Sequence, residues 1–172
     1  MSTIFCSDTI HVRKLIDCQK DYNLFVKWLS DLDVCEYYEG RTKPFDYHIE
    51  YDNTAIGWIQ FYTTEPGKYH ECDVVDITSY TNSWGIDIVI GDKCFWNKGI
   101  GTQVMQLTAK YLFEEEKAGI IFIAPQTWNS RAIRCYEKSG FRQIKIIEKM
   151  ELHDDEYKDG VLMVKTKDDQ LI

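Results

Sequence analysis

The sequence contains no apolar run approaching the ~18 residues that a membrane-crossing helix requires. Its first residues, Met1-Ser-Thr-Ile-Phe-Cys-Ser-Asp, show neither the basic nor the apolar region of an export signal. The six cysteines, at positions 6, 18, 35, 72, 94 and 135, include no Cys-x-x-Cys pair. His11, His48, His70 and His153 are scattered, and none stands at metal-ligand spacing from a cysteine. These absences argue against a metal site and against a membrane protein. They predict free thiols in a reducing, cytoplasmic compartment. A basic excess is missing too: 20 Lys and Arg face 28 Asp and Glu, a formal net charge of −8. Without a basic footprint to release counterions, nucleic acid is an unsuitable partner. Internal repeats, low-complexity tracts and linkers are also lacking.

What is present fits one domain spanning residues 1–172. Hydrophobic residues make up 44%, enough for a sizeable core, and eleven Tyr, eight Phe and five Trp make that core aromatic. An acidic surface favours a cationic small molecule or peptide as partner.

Residues 10–16 alternate as a first strand, and 19–32 follow as a helix with Leu24, Phe25, Trp28, Leu29 and Leu32 on one apolar stripe. Segments 47–51 and 55–63 read as strands joined at 52–54, with further strand character at 73–78 and 84–91. The strongest helix covers 99–116, where Gly101, Val104, Met105, Thr108, Tyr111 and Leu112 share a face. Ile120–Ala124 is a short buried strand. A helix from about Asn129 to Ser139 ends at Gly140, a left-handed C′ position. Strands at 142–150 and 160–166 close the chain. Strands mixed with helices give an α/β or α+β domain.

Chemistry concentrates in two segments. In Trp84-Gly-Ile-Asp-Ile-Val-Ile, followed by Trp96-Asn-Lys-Gly-Ile-Gly-Thr, a strand enters a glycine turn that opens the long helix. Gly99 and Gly101 let the backbone approach a ligand. The helix N-terminus offers unpaired N–H groups and a positive dipole end, which suits phosphate. Downstream lies Asn129-Ser-Arg-Ala-Ile-Arg-Cys-Tyr-Glu-Lys-Ser-Gly-Phe. Asn129 is placed to cap its helix, and Tyr136 sits two turns along the same face.

This pair of segments resembles the GNAT superfamily of N-acetyltransferases, through Gly99 and Gly101 and through Asn129, Ala132, Tyr136, Gly140 and Phe141. Glu36-Tyr-Tyr-Glu-Gly-Arg, Gly85-Ile-Asp and the two segments together look like the aminoglycoside 6′-N-acetyltransferases over nearly the whole chain. The resemblance implies a GNAT fold, with a mixed central sheet of about six or seven strands flanked by helices. It implies acetyl-CoA as co-substrate and no metal. Ile88, Val89 and Ile90 would pair with the pantetheine arm. Trp96, Lys98, Gly99, Ile100, Gly101 and Thr102 would hold the pyrophosphate, and Asn129 and Ala132 would flank the arm. Asp87 would anchor the substrate ammonium and take its proton, directly or through water. Tyr136 would protonate the departing thiolate. Glu36, Tyr37, Tyr38, Asp73 and Asp76, with Glu39, would hold a polycationic acceptor, in a monomer or homodimer.

Two departures concern the acceptor. The aminoglycoside enzymes carry Asp-Pro before the Asn helix, where this chain has Ala124-Pro125. The stretch from Arg41 to Ile49 is also shorter than in those relatives. At the cofactor turn, Trp96 replaces the usual Arg or Gln. Acetylation of another amine (a polyamine, a siderophore precursor or a peptide N-terminus) is therefore the first alternative. A non-catalytic acyl-CoA-binding module is the second.

Overall fold

A computed structural model describes residues 3–16, 18–37, 46–64, 82–153 and 155–167. Among these, eight strands and four α-helices run in the order β1 (Thr3–Cys6), β2 (Ile10–Lys14), α1 (Gln19–Leu29), α2 (Leu32–Cys35), β3 (Tyr47–Tyr51), β4 (Thr54–Thr64), β5 (Ser83–Ile90), α3 (Ile100–Glu114), β6 (Ile120–Ile123), α4 (Ser130–Lys138), β7 (Arg142–His153) and β8 (Glu156–Thr166). A 3₁₀ turn, Lys93–Phe95, links β5 to α3. The strands form one mixed sheet in the order β1-β2-β3-β4-β5-β6-β8-β7. The fold is α+β of the kind expected, with one strand more than the upper expectation. The additional strand is β1, four residues long, and too short to carry a readable alternation. The strand expected at 73–78 lies outside the described residues.

Contacts divide the chain into two compact units. The first comprises Met1–Gln60 and Asp87–Leu107, the second Phe61–Ile86 and Thr108–Ile172.

In the first unit, β1 through β4 pair antiparallel in succession. The core beneath α1 gathers Phe25, Trp28, Val34, Trp58 and Val89. Trp28 meets Trp58 edge-on, with ring centroids 4.6 Å apart. Leu32 does not join them and is 85% exposed, contrary to the single stripe expected from 19 to 32. The reason is local. Asp31 takes an extended backbone and accepts the Asp33 N–H, so a new short helix starts at Leu32 and turns that side chain outward.

The first unit also buries charge. Arg13 grips Asp21 through two 2.8 Å hydrogen bonds and donates Nε to Glu50 at 2.7 Å. The Arg13 hydrogen bond holds the Asp21 carboxyl down at about 2. His48 lies beside the pair, with Nε2 3.6 Å from Asp21 and its ring against Trp28 and Trp58. Burial pushes His48 down to about 4, so the imidazole is neutral at physiological pH.

In the second unit, β5 runs parallel to β6 over Ser83↔Ile120, Trp84↔Ile121 and Gly85↔Phe122. The β7–β8 hairpin then adds antiparallel to β6. Ile120, Phe122, Leu162 and Val164 form a core cluster there, with Ala124 and Ile147 packed against it. Along α3, Val104, Met105, Thr108 and Leu112 are fully buried, as their spacing predicts.

Candidate active site

In the first unit the site starts on β5. Gly91 donates its N–H to Ile56 on β4 at 2.9 Å. Strand alternation then turns the N–H and C=O groups of Ile88 and Ile90 to the opposite edge, away from β4. Side chains alternate likewise, so Asp87 shares the face of Val89. It is half-buried there, and Gln60 on β4 donates Nε2 to its Oδ2 at 2.7 Å. Gln60 is a candidate site residue, through this bond to Asp87, that the sequence does not reveal. Nothing local distinguishes it, because its partner lies 27 positions away.

Beyond Ile90 the chain makes a tightly held turn. Asp92 caps the 3₁₀ turn by accepting the Cys94 N–H at 3.0 Å. Lys93 bridges Asp31 at 2.9 Å and Asp33 at 2.6 Å. These hydrogen bonds raise the Lys93 pKa, and Lys93 in turn lowers that of Asp31. Phe95 packs on Tyr51 with centroids 5.8 Å apart, and Lys98 lies over the Phe95 ring at the same separation. The Trp96 indole donates to the Ile90 carbonyl at 2.6 Å. Its ring meets Tyr37 in a T-shaped contact, with centroids 6.4 Å apart. Trp96, expected from the resemblance among the pyrophosphate-binding residues, is thus also a principal anchor of this turn.

The turn delivers the start of α3. Gly99 has φ +77, a left-handed conformation that favours glycine, and a β-carbon there would meet nothing within 4 Å. No packing demand explains the residue. Its backbone angle does, and it leaves the helix mouth open. The Gly99 carbonyl accepts the first helical bond, from Gln103 at 3.1 Å. The N–H groups of Ile100 and Gly101, at the start of the helix, have no acceptor in a preceding helical turn. No acidic residue occupies this first turn to repel an anion. Of the acceptor candidates, Glu36 is exposed and Tyr37 half-buried, whereas Tyr38, Glu39, Asp73 and Asp76 lie outside the described residues.

The second unit carries the remaining candidates on α4. Asn129 caps the helix, its side chain accepting the Ala132 N–H at 3.0 Å. The C-terminus is a Schellman motif: Phe141 N–H bonds to the Tyr136 carbonyl at 3.0 Å, and Gly140 N–H to that of Glu137 at 2.9 Å. Gly140 supplies the left-handed residue, with φ +87. The hydrophobic contact that accompanies such a cap is Tyr136 against Phe141, at 6.2 Å between centroids. The spacing Tyr-x-x-x-Gly-Phe is therefore the covalent form of one helix stop, and it buries Tyr136 to 7% exposure. Lys165, itself buried, reinforces the stop by donating to the Ser139 carbonyl at 2.7 Å. Ala124, where the resemblance leads one to look for Asp, is half-buried against the apolar cluster of β6 and β8.

Comparison with known proteins bears on the fold and the family. The acetyltransferase (GNAT) domain family matches residues 17–149. The aminoglycoside N(6′)-acetyltransferase type 1 of Klebsiella pneumoniae is 25% identical over 155 residues, 80% of this chain and 76% of that protein. The structure of AAC(6′)-Ib in complex with paromomycin and acetyl-CoA superposes with a TM-score of 0.71 at 23% identity, covering 95% of this chain and 96% of that one. Spermidine N-acetyltransferase from Vibrio cholerae, in complex with CoA and spermine, gives a TM-score of 0.71 at 16% identity, covering 96% and 100%. The fold, the capped turn before α3 and the family match over most of the chain agree: this protein belongs to the GNAT acetyltransferase family.

Proposed function

We propose that this enzyme transfers the acetyl group of acetyl-CoA to a primary amine of a polycationic acceptor, with the 6′-amine of an aminoglycoside as the leading choice. The observation that carries the reading is Asp87. It is a half-buried carboxylate and the one charged residue of β5, with one oxygen held by Gln60.

The pyrophosphate of acetyl-CoA would sit on the N–H groups of residues 100–102, with Lys98 adding positive charge. The pantetheine amides would pair with the edge of Ile88–Ile90 opposite β4, where the Ile88 groups and the Ile90 N–H are offered; the Ile90 carbonyl already serves Trp96. Asp87 binds the substrate ammonium and accepts its proton, directly or through water. The neutral nitrogen attacks the thioester carbonyl, a C–N bond forms, and the C–S bond breaks. Tyr136 supplies the proton that the thiolate takes up. That role rests on the family resemblance and on the way the α4 cap fixes the ring. Asn129 and Ala132 flank the pantetheine arm by the same resemblance.

Ala124 favours a second reading for the acceptor. The alanine packs into an apolar cluster, and an ammonium-binding carboxylate is missing from that position. Such a charge-assisted contact contributes about 1.5–3 kcal/mol. A smaller cation such as a polyamine, needing fewer ion pairs, would suffer less from the loss.

The test is thiol release from acetyl-CoA in the presence of kanamycin, ribostamycin, paromomycin, spermidine and a basic peptide. Release dependent on the aminoglycosides supports the leading reading. Release with spermidine or the peptide alone reassigns the acceptor. No release with any amine, despite acetyl-CoA binding, removes the catalytic reading.

A further inference from the structure

We infer that Trp96 and Tyr37 form a positioning pair through which coenzyme A, bound at the start of α3, orders the segment Asp31–Tyr37 on the acceptor side. The inference rests on the proposed placement of coenzyme A and goes beyond it. A four-residue helix cannot hold itself, because its nucleation cost is spread over too few bonds. The order of α2 therefore comes from outside contacts. Two are close in sequence, the Asp31 cap and the Cys35 Sγ to Leu29 carbonyl contact at 2.9 Å. Val34 seats the middle of α2 in the core with Phe25, Trp28, Trp58 and Val89. The contacts made by its two ends, Asp31 with Asp33 and Tyr37, reach the turn between β5 and α3.

Lys93 of that turn bridges Asp31 and Asp33. Trp96, three positions before Gly99, meets Tyr37 nearly at right angles, with 84° between the rings. The same indole is hydrogen-bonded to Ile90 at the end of the candidate pantetheine edge, and it packs on the Trp28–Trp58 core. One side chain thus touches the strand end, the core and the residue beside Glu36. A ligand that stills the turn also stills α2, and the coupling is reciprocal: an acceptor held at Glu36 tightens coenzyme A. Trp96 and Tyr37 act here through other groups and touch no reacting atom.

The experiment is amide hydrogen exchange of the full chain with and without coenzyme A, in the wild type, Tyr37→Phe and Tyr37→Leu. Coenzyme A is expected to slow exchange of the 31–37 amides by about fivefold or more in the wild type and in Tyr37→Phe, which keeps the ring. In Tyr37→Leu that protection disappears, while affinity for coenzyme A alone changes less than about threefold. Bound coenzyme A without protection of 31–37 in the wild type overturns the inference alone, as does equal protection in Tyr37→Leu. Failure of the wild type to bind coenzyme A overturns this inference and the proposed function together.

Discussion

Replacing Gly140 by alanine tests the cap that fixes Tyr136. The residue has φ +87, where an L side chain costs about 1–2 kcal/mol relative to glycine. A β-carbon built there would also fall on the Lys165 ammonium, closer than the two atoms can approach. That ammonium is the donor to the Ser139 carbonyl, and Lys165 is only 6% exposed, so it has no easy route to water. Losing a charge-assisted hydrogen bond in such a place costs about 1.5–3 kcal/mol. The sum predicts that Gly140→Ala lowers stability by about 2.5–5 kcal/mol. Urea unfolding followed by circular dichroism measures it, with an unchanged denaturant slope as the sign that the comparison is valid. The double-mutant cycle separates the two parts. In a Lys165→Ala background, Gly140→Ala should cost only the strain, about 1–2 kcal/mol. Equal losses in both backgrounds would show that Lys165 yields freely and would refute its part in the cap.

Three further outcomes are expected. Asp87→Asn should lower kcat/KM by about 10²–10⁴ while leaving acetyl-CoA affinity unchanged, and Gln60→Leu should lower kcat by about tenfold through the misplaced carboxylate; steady-state kinetics beside calorimetry checks both. Gly99→Val should weaken acetyl-CoA binding by tenfold or more, as ~1.4 kcal/mol of strain and crowding at the helix mouth requires, and unaltered affinity would contradict the placement of the phosphate site. His48 is held down at about 4 in the folded protein, against about 6.5 when unfolded, so between these values the unfolded chain binds more protons and stability falls as pH falls. Its contribution, up to about 3 kcal/mol, is complete above pH ~6.5 and lost toward pH ~4. His48→Phe should flatten that part of the stability profile, whereas Asp21, held at about 2, adds its own loss only at lower pH.

Elements whose signals are local were legible in the sequence. Gly140 announced a left-handed helix stop and Asn129 a cap, and both are present as read. The buried face of α3 followed from spacing alone. Contacts across sequence distance were not legible. Gln60 reads as any strand glutamine until Asp87 is placed beside it. Arg13, Asp21 and Glu50 carry no local sign of their pairing, because burial of a charge becomes intelligible only when its partners, 8 and 37 residues away, are known. Trp96 stood out as an exception to a motif, but its partners Ile90 and Tyr37 come from two other elements. Leu32 departs from the expected stripe because its helical spacing continues through the helix break that Asp31 creates.

The Arg13 network also acts on how the chain finds its pairing. Arg13 lies opposite His48 in the β2–β3 ladder, with Glu50 the diagonal neighbour across the strands. A slip of one residue between these strands would send the guanidinium to the other face of the sheet and abandon Asp21 and Glu50 without it. Apolar neighbours such as Val12 and Ile49 tolerate approximate partners, whereas an unpaired buried charge does not. The trio therefore works as a key cut for one register. The error it guards against would be penalised while the sheet is still assembling.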